Sequence, residues 1–186
     1  RRREGFYKDY AASSQQFIRV SGGNRNPCGI IRVSALWVLC RYRHKVHKHG
    51  LTTWCENYGH WGFPGDFTIY GRYSDEIGGE FWSNNSLGTI ECRAASSTAH
   101  IYGRRRVYAE AFTSGLDLGH HPYIIKRRGE ELFCEGINHF VLHVVAHQTR
   151  DGVPGKKPGF GTAFHRNNPW FNECRDWVRY LQRIHF

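Results

Sequence analysis

Nowhere in the 186 residues does an apolar run approach the roughly 18 to 20 residues that a membrane-spanning helix needs; the longest candidates are Ala35 to Cys40 and Phe140 to Val145. Paired cysteines are missing as well. Cys28, Cys40, Cys55, Cys92, Cys134 and Cys174 are far apart with no Cys-x-x-Cys, which argues against a zinc site or a disulfide framework and predicts isolated buried thiols. No candidate strand is followed by Gly-x-Gly-x-x-Gly, which argues against a dinucleotide-binding unit. Acidic residues are scarce, 16 against 26 lysines and arginines, leaving a formal charge of +10. The excess is scattered over Arg41 to Lys48, Arg104 to Arg106, Lys126 to Arg128 and Lys156-Lys157, and none of these runs falls in a nucleic-acid-binding motif. They are expected to be solvated helix ends and loops, with no nucleic-acid partner. There is no initiating methionine before Arg1, so the chain is expected to be an internal or C-terminal piece of a longer protein.

What is present is an alternation of helices and strands. Ala35 to His49 carries Leu36, Leu39, Arg43 and Val46 at helical intervals, and Gly50 follows where a helix-ending glycine belongs. Leu51 to Cys55 is rich in strand formers and runs into Glu56; Tyr58 to Gly65 is then a loop with unusual aromatic content. Ile77 to Trp82 predicts a second strand, Ser83 to Ser86 a helix cap, and the alanine-rich stretch to Tyr102 a helix closed by Gly103. Arg106 to Glu110, a helix opened by Pro122 and reaching Cys134, and a strand from Phe140 to Ala146 follow. A glycine-rich connection and a closing helix from Pro169, with Phe171, Cys174, Val178 and Leu181 as its apolar stripe, complete the order.

Strands that alternate with helices predict an α/β protein with a parallel sheet. An eight-stranded (β/α)8 TIM barrel takes about 250 residues, so four strand-helix units here fit a partial barrel over residues 35–186. An open doubly wound sheet is the alternative. Residues 1–34 form a poorly readable N-terminal segment.

Three glutamates fall where strands are predicted to end, Glu56, Glu80 and Glu110, and carboxylates at strand C-termini are where barrel enzymes gather their chemistry. Hydrolysing a glycoside requires a carboxylic acid to protonate the leaving oxygen and, in an inverting enzyme, a carboxylate about 6.5 to 9.5 Å away to polarise water. Aromatic rings suit the apolar face of a sugar, which marks Trp54, Tyr58, Trp61, Phe63 and Trp82 as candidate walls. Asn57, His60 and His147 are candidate hydrogen-bonding partners for substrate. Any single glutamate after a strand can equally be a solvated loop residue, and Asp75 and Glu76 are expected to cap the strand they precede. His143 and His147 have a spacing that could bind zinc, although packing explains His143 as well; His100, on a helix, is expected to be structural.

The successive motifs His49-Gly50-Leu51-Thr52-Thr53-Trp54-Cys55-Glu56-Asn57-Tyr58-Gly59-His60-Trp61-Gly62-Phe63-Pro64-Gly65, Ile77-Gly78-Gly79-Glu80-Phe81-Trp82, Ala99-His100-Ile101-Tyr102-Gly103, Ala109-Glu110-Ala111-Phe112-Thr113 and Gly136-Ile137-Asn138-His139-Phe140 resemble those of the α-L-rhamnosidases of glycoside hydrolase family 106. The resemblance covers about residues 49 to 183. It implies a (β/α)8 catalytic domain that removes terminal α-L-rhamnose with inversion, calcium helping to hold the sugar, and active-site glutamates at Glu80 and Glu110. The general acid is expected on an earlier strand outside this chain, so the chain alone is expected to be inactive. The metal ligands and the oligomeric state stay open, and a secreted or periplasmic location is the expectation for the whole protein. Two alternatives are a non-catalytic carbohydrate-binding barrel and, from another class, a basic nucleic-acid-binding domain.

Overall fold

The structure, a computed structural model, describes residues 27–56, 67–84, 86–115, 119–152, 156 and 159–184, with 27–36 and Tyr70 given through their backbone alone. Helix α1 (Pro27–His47) leads to strand β1 (Trp54–Glu56), a short helix α2 (Phe67–Tyr70) with a 3-10 turn (Gly71–Tyr73), and strand β2 (Glu76–Trp82). Helix α3 (Ile90–Ile101), strand β3 (Val107–Thr113), helix α4 (Pro122–Cys134), strand β4 (His139–Leu142) and helix α5 (Phe171–Ile184) follow. The four strands lie side by side in the order β1-β2-β3-β4, each parallel to the next. The expected α/β class with a parallel sheet is therefore present. Among the described strands the order never reverses, and with the usual right-handed crossovers such an order sets the connecting helices on one face of the sheet.

That face is the apolar one. Ile77 and Phe81 of β2 and Val107, Ala109 and Ala111 of β3 alternate onto it and join Cys92, Ala95 and Ala99 of α3, Ile125 and Leu132 of α4, and Cys174, Trp177 and Leu181 of α5 in one core. Gly79 lets the first turn of α3 approach the sheet closely: a side chain there would lie 2.8 Å from the backbone of Glu91. On α4 the buried Ile125, Arg128, Gly129 and Leu132 follow helical spacing, and Pro122 opens the helix as expected. On α5 the stripe is Cys174, Trp177 and Leu181; Phe171 is exposed, so Trp177 takes the core place that Phe171 was expected to fill.

Helix α1 begins at Pro27, before the apolar pattern starts at Ala35, and ends with His44, Lys45 and His47 in its last turn, where the helix dipole favours cations. Gly50 adopts φ +67 just beyond, the left-handed conformation expected of it. Asp75 ties this helix to the sheet: it accepts from Arg43 Nε at 2.9 Å, from the Thr53 amide at 2.8 Å and from the Thr53 hydroxyl at 2.9 Å, and lies 2.7 Å from His47 Nε2. Burial pushes the Asp75 carboxyl up, but these partners outweigh it and hold it well below the usual carboxylate range.

Several boundaries differ from the pattern. Ser83, Asn84 and Ser86 do not cap α3, which starts at Ile90; Ser83 Oγ instead meets His120 Nδ1 at 2.8 Å, and the Ser86 amide donates to Asn84 Oδ1 in a turn. Strand β4 ends at Leu142 rather than Ala146: the His143 amide still donates to the Ala111 carbonyl of β3, but its carbonyl and the Val144 amide turn to Thr162. Cys92 and Cys174 are buried free thiols, held up to about 12 and about 11 chiefly by burial, whereas Cys40 and Cys134 are exposed, contrary to expectation. No described helix is long and apolar enough to cross a membrane.

Candidate active site

The other face of the sheet carries the carboxylates. Cα register pairs Glu80 with Glu110, and Glu56 with Gly78. Because side chains alternate along a strand, Glu56, Gly78, Glu80, Tyr108 and Glu110 all belong to the face opposite the apolar core. Glu80 and Glu110 are not strand-terminal, as the sequence pattern suggested: Phe81-Trp82 and Ala111 to Thr113 continue β2 and β3 beyond them, because pairing persists past a local irregularity. Glu56 is the last residue of β1 and stands one alternation below Glu80, about 7 Å along the strand direction.

Tyr108 makes the floor beneath the pair. Its ring lies over Gly78, where a β-carbon would come within 2.2 Å of it, and meets Trp54 edge-on at 4.3 Å. Trp54 itself pairs with Glu76 at the start of the sheet and is 56% exposed, roughly 13 Å along the strand from Glu80. The structure thus separates Trp54 from Glu80 and Glu110, though not from Glu56 two residues along the same strand, while it brings Trp82 to Glu80: Trp82 Nε1 donates to Glu80 Oε1 at 2.6 Å. Arg128, buried in α4, donates from Nε to the Trp82 carbonyl at 3.2 Å and also to the Gly88 carbonyl, which fixes the end of β2 from the helix side.

Glu110 has two described neighbours, both at Oε1. The Thr113 hydroxyl donates to it at 2.6 Å, and His143 Nδ1 stands 3.7 Å away, beyond hydrogen-bond range. The His143 ring packs against Phe160 at 4.9 Å. In a regular strand Thr113 would face away from Glu110. It does not, because Trp82 pairs with Thr113 directly after Phe81 pairs with Ala111, leaving Phe112 as an extra residue with φ +64. A non-glycine residue in that conformation costs about 1 to 3 kcal/mol unless its surroundings hold it. Here Phe112 packs against Phe81 at 4.9 Å, Trp177 at 5.0 Å and Phe140 at 5.3 Å, in the apolar core.

Nothing in the sequence pattern marks Thr113 or Tyr108 as site residues, although the Gly78-Gly79 doublet within a strand is a sign of close approach, and the pattern offers His143 only as a zinc ligand or a packed residue. His147 is exposed beyond β4, and no described contact joins it to the glutamates. Asn57, Tyr58, His60, Trp61 and Phe63 lie outside the described residues. Among the described residues no group of three or more His, Cys, Asp or Glu side chains could hold a metal ion. Calcium takes six to eight oxygen ligands, so the described side chains alone do not make a calcium site, nor do His143 and His147 make a zinc site.

Residues 39–186 match the family model of glycoside hydrolase family 106, described as alpha-L-rhamnosidase. A Formosa agariphila protein named "Putative beta-glucuronidase" is 34% identical over 146 residues, covering 78% of this chain and 12% of that protein. The solved structure of a rhamnosidase from Novosphingobium sp. PP1Y superimposes with a TM-score of 0.68 at 22% identity, over 92% of this chain and 19% of that one. The chain therefore spans less than a fifth of the length of these relatives.

Proposed function

Because the chain belongs to glycoside hydrolase family 106, we propose that it forms part of the catalytic domain of an inverting glycosidase that hydrolyses terminal α-L-rhamnosides. The observation that carries the proposal is the register pairing of Glu80 with Glu110 on the sheet face opposite the core, above the Tyr108 ring. The unreversed strand order supports a barrel arc, with this face turned inward and residues 35–186 as one barrel segment.

Register partners on adjacent strands stand about 4.8 Å apart at their Cα atoms, so the two carboxylates approach a sugar from the same side. They share the water side of the reaction. Glu110 is assigned as general base, since its described contacts both fall on Oε1 and leave Oε2 to take the proton of water. Glu80, held by Trp82, is assigned to the sugar hydroxyls, with Glu56 in support. The general acid comes from outside this chain. Trp82, half-buried at the end of β2, offers apolar surface to a deoxysugar, and the buried Tyr108 ring supports the strands beneath it. The calcium that the resemblance implies would need ligands beyond the described residues, and no step above depends on it.

The test is the anomer released first. Proton NMR of the intact protein acting on an aryl α-L-rhamnoside is expected to show β-rhamnose before mutarotation. Initial release of α-rhamnose would instead make two close carboxylates an acid and nucleophile pair, and would overturn the assignment.

A further inference from the structure

We infer that Thr113 is a positioning residue for Glu110, brought to it by the bulge at Phe112 and held there by the segment Gly161-Thr162; the inference rests on the glycosidase reading above. Three observations converge on it. The extra residue Phe112 returns Thr113 to the face of Glu80, Trp82 and Glu110, where it is buried and its hydroxyl donates to Glu110 Oε1 at 2.6 Å. The bulge is pinned from both sides: Thr162 Oγ1 donates to the Phe112 carbonyl at 2.5 Å, the Gly161 amide to the Ser114 carbonyl at 2.6 Å, and the Ser83 amide to the Thr113 carbonyl at 2.9 Å. The ring of Phe112 is buried among aromatic residues on the opposite face, so the core resists relaxation of the bulge to a regular strand.

A regular strand at this point would turn Thr113 into the core and leave the Glu110 side chain to choose among rotamers. With the bulge, one carboxylate oxygen is occupied by a hydroxyl donor that takes no part in proton transfer. Oε2 accepts the proton of water as the water oxygen bonds to the anomeric carbon. The glycosidic C–O bond breaks, and the leaving oxygen takes a proton from a carboxylic acid supplied by the rest of the protein. Thr113 thus selects which oxygen faces water, an orientational role in which an error of about 1 Å costs on the order of 100-fold in rate.

The test compares Thr113→Val, which keeps the shape and loses the donor, with Thr113→Ser, which keeps the donor, in the full-length protein with an aryl α-L-rhamnoside and by crystallography. The expected result is a kcat about 10- to 100-fold lower for Thr113→Val with little change in KM, restoration by Thr113→Ser, and a Glu110 carboxylate displaced only in the valine variant. Should Thr113→Val not fold, Thr162→Val and Thr162→Ser make the same comparison one bond further back. A valine variant with wild-type kcat, or one whose Glu110 carboxylate has not moved, overturns the inference. If the intact protein cleaves no glycoside, the glycosidase reading falls by itself, and the carboxylate position alone decides the role of Thr113.

Discussion

Gly78 and Tyr108 are register partners on adjacent strands, and the tyrosine ring occupies the space that any side chain at Gly78 would need. The floor of the carboxylate face thus depends on a missing β-carbon in one strand and a large ring in the next.

Gly78→Ala is accordingly expected to destabilise the intact protein by about 1 to 3 kcal/mol, the range for overpacking a tight site. Its melting temperature should fall, and adding Tyr108→Leu should recover part of the loss. An unchanged melting temperature in Gly78→Ala would show that the ring does not lie over Gly78.

At Phe112 the usual ranking of substitutions should invert. Either truncation removes aromatic packing at about 3 to 5 kcal/mol, but φ +64 suits glycine, so Phe112→Gly is expected to be more stable than Phe112→Ala by about 1 kcal/mol. Denaturant unfolding of the pair measures this directly. Greater stability of the alanine variant would contradict the bulge.

Much of this architecture was legible in the sequence, and the exceptions have physical causes. Helix α4 ends at Pro122 and Cys134 as expected because proline at the start and helical spacing of Ile125, Gly129 and Leu132 agree. Strand β2 agrees with the sequence pattern to within one residue, since Ile77, Phe81 and Trp82 are strand formers bounded by the polar Ser74-Asp75 and Ser83-Asn84. Strand β3 was cut short at Glu110 because a bulge breaks the alternation that reading a strand relies on, and with it went Thr113. Local spacing offers His143 as a zinc ligand or a packed residue; its place beside Glu110 depends on β4 lying next to β3, a long-range relation that such spacing does not encode. The start of α1 at Pro27 and the short helix α2 carry no amphipathic signal strong enough to mark them.

Asp75 should act as an acid-sensitive clamp. Its carboxyl titrates lower in the folded than in the unfolded chain, where about 3.9 is normal, so its contribution is fully present above that value and is lost as pH falls towards the folded value. Asp75→Asn should cost about 2 kcal/mol at neutral pH through weakened hydrogen bonds to Arg43, His47 and Thr53. The gap in melting temperature between wild type and variant should be flat above about pH 5 and shrink below about pH 4. A gap that widens in acid would reverse the sign and refute the clamp.

The central claim, that Glu110 is the base of a rhamnosidase, is tested most directly by nitrophenol release from 4-nitrophenyl α-L-rhamnoside by the intact protein and its Glu110→Gln variant. The account predicts turnover by the wild type and a kcat about 100- to 10,000-fold lower in the variant, with KM little changed. Turnover that survives Glu110→Gln, or a wild type that cleaves the matching β-glucuronide and not the rhamnoside, would contradict it.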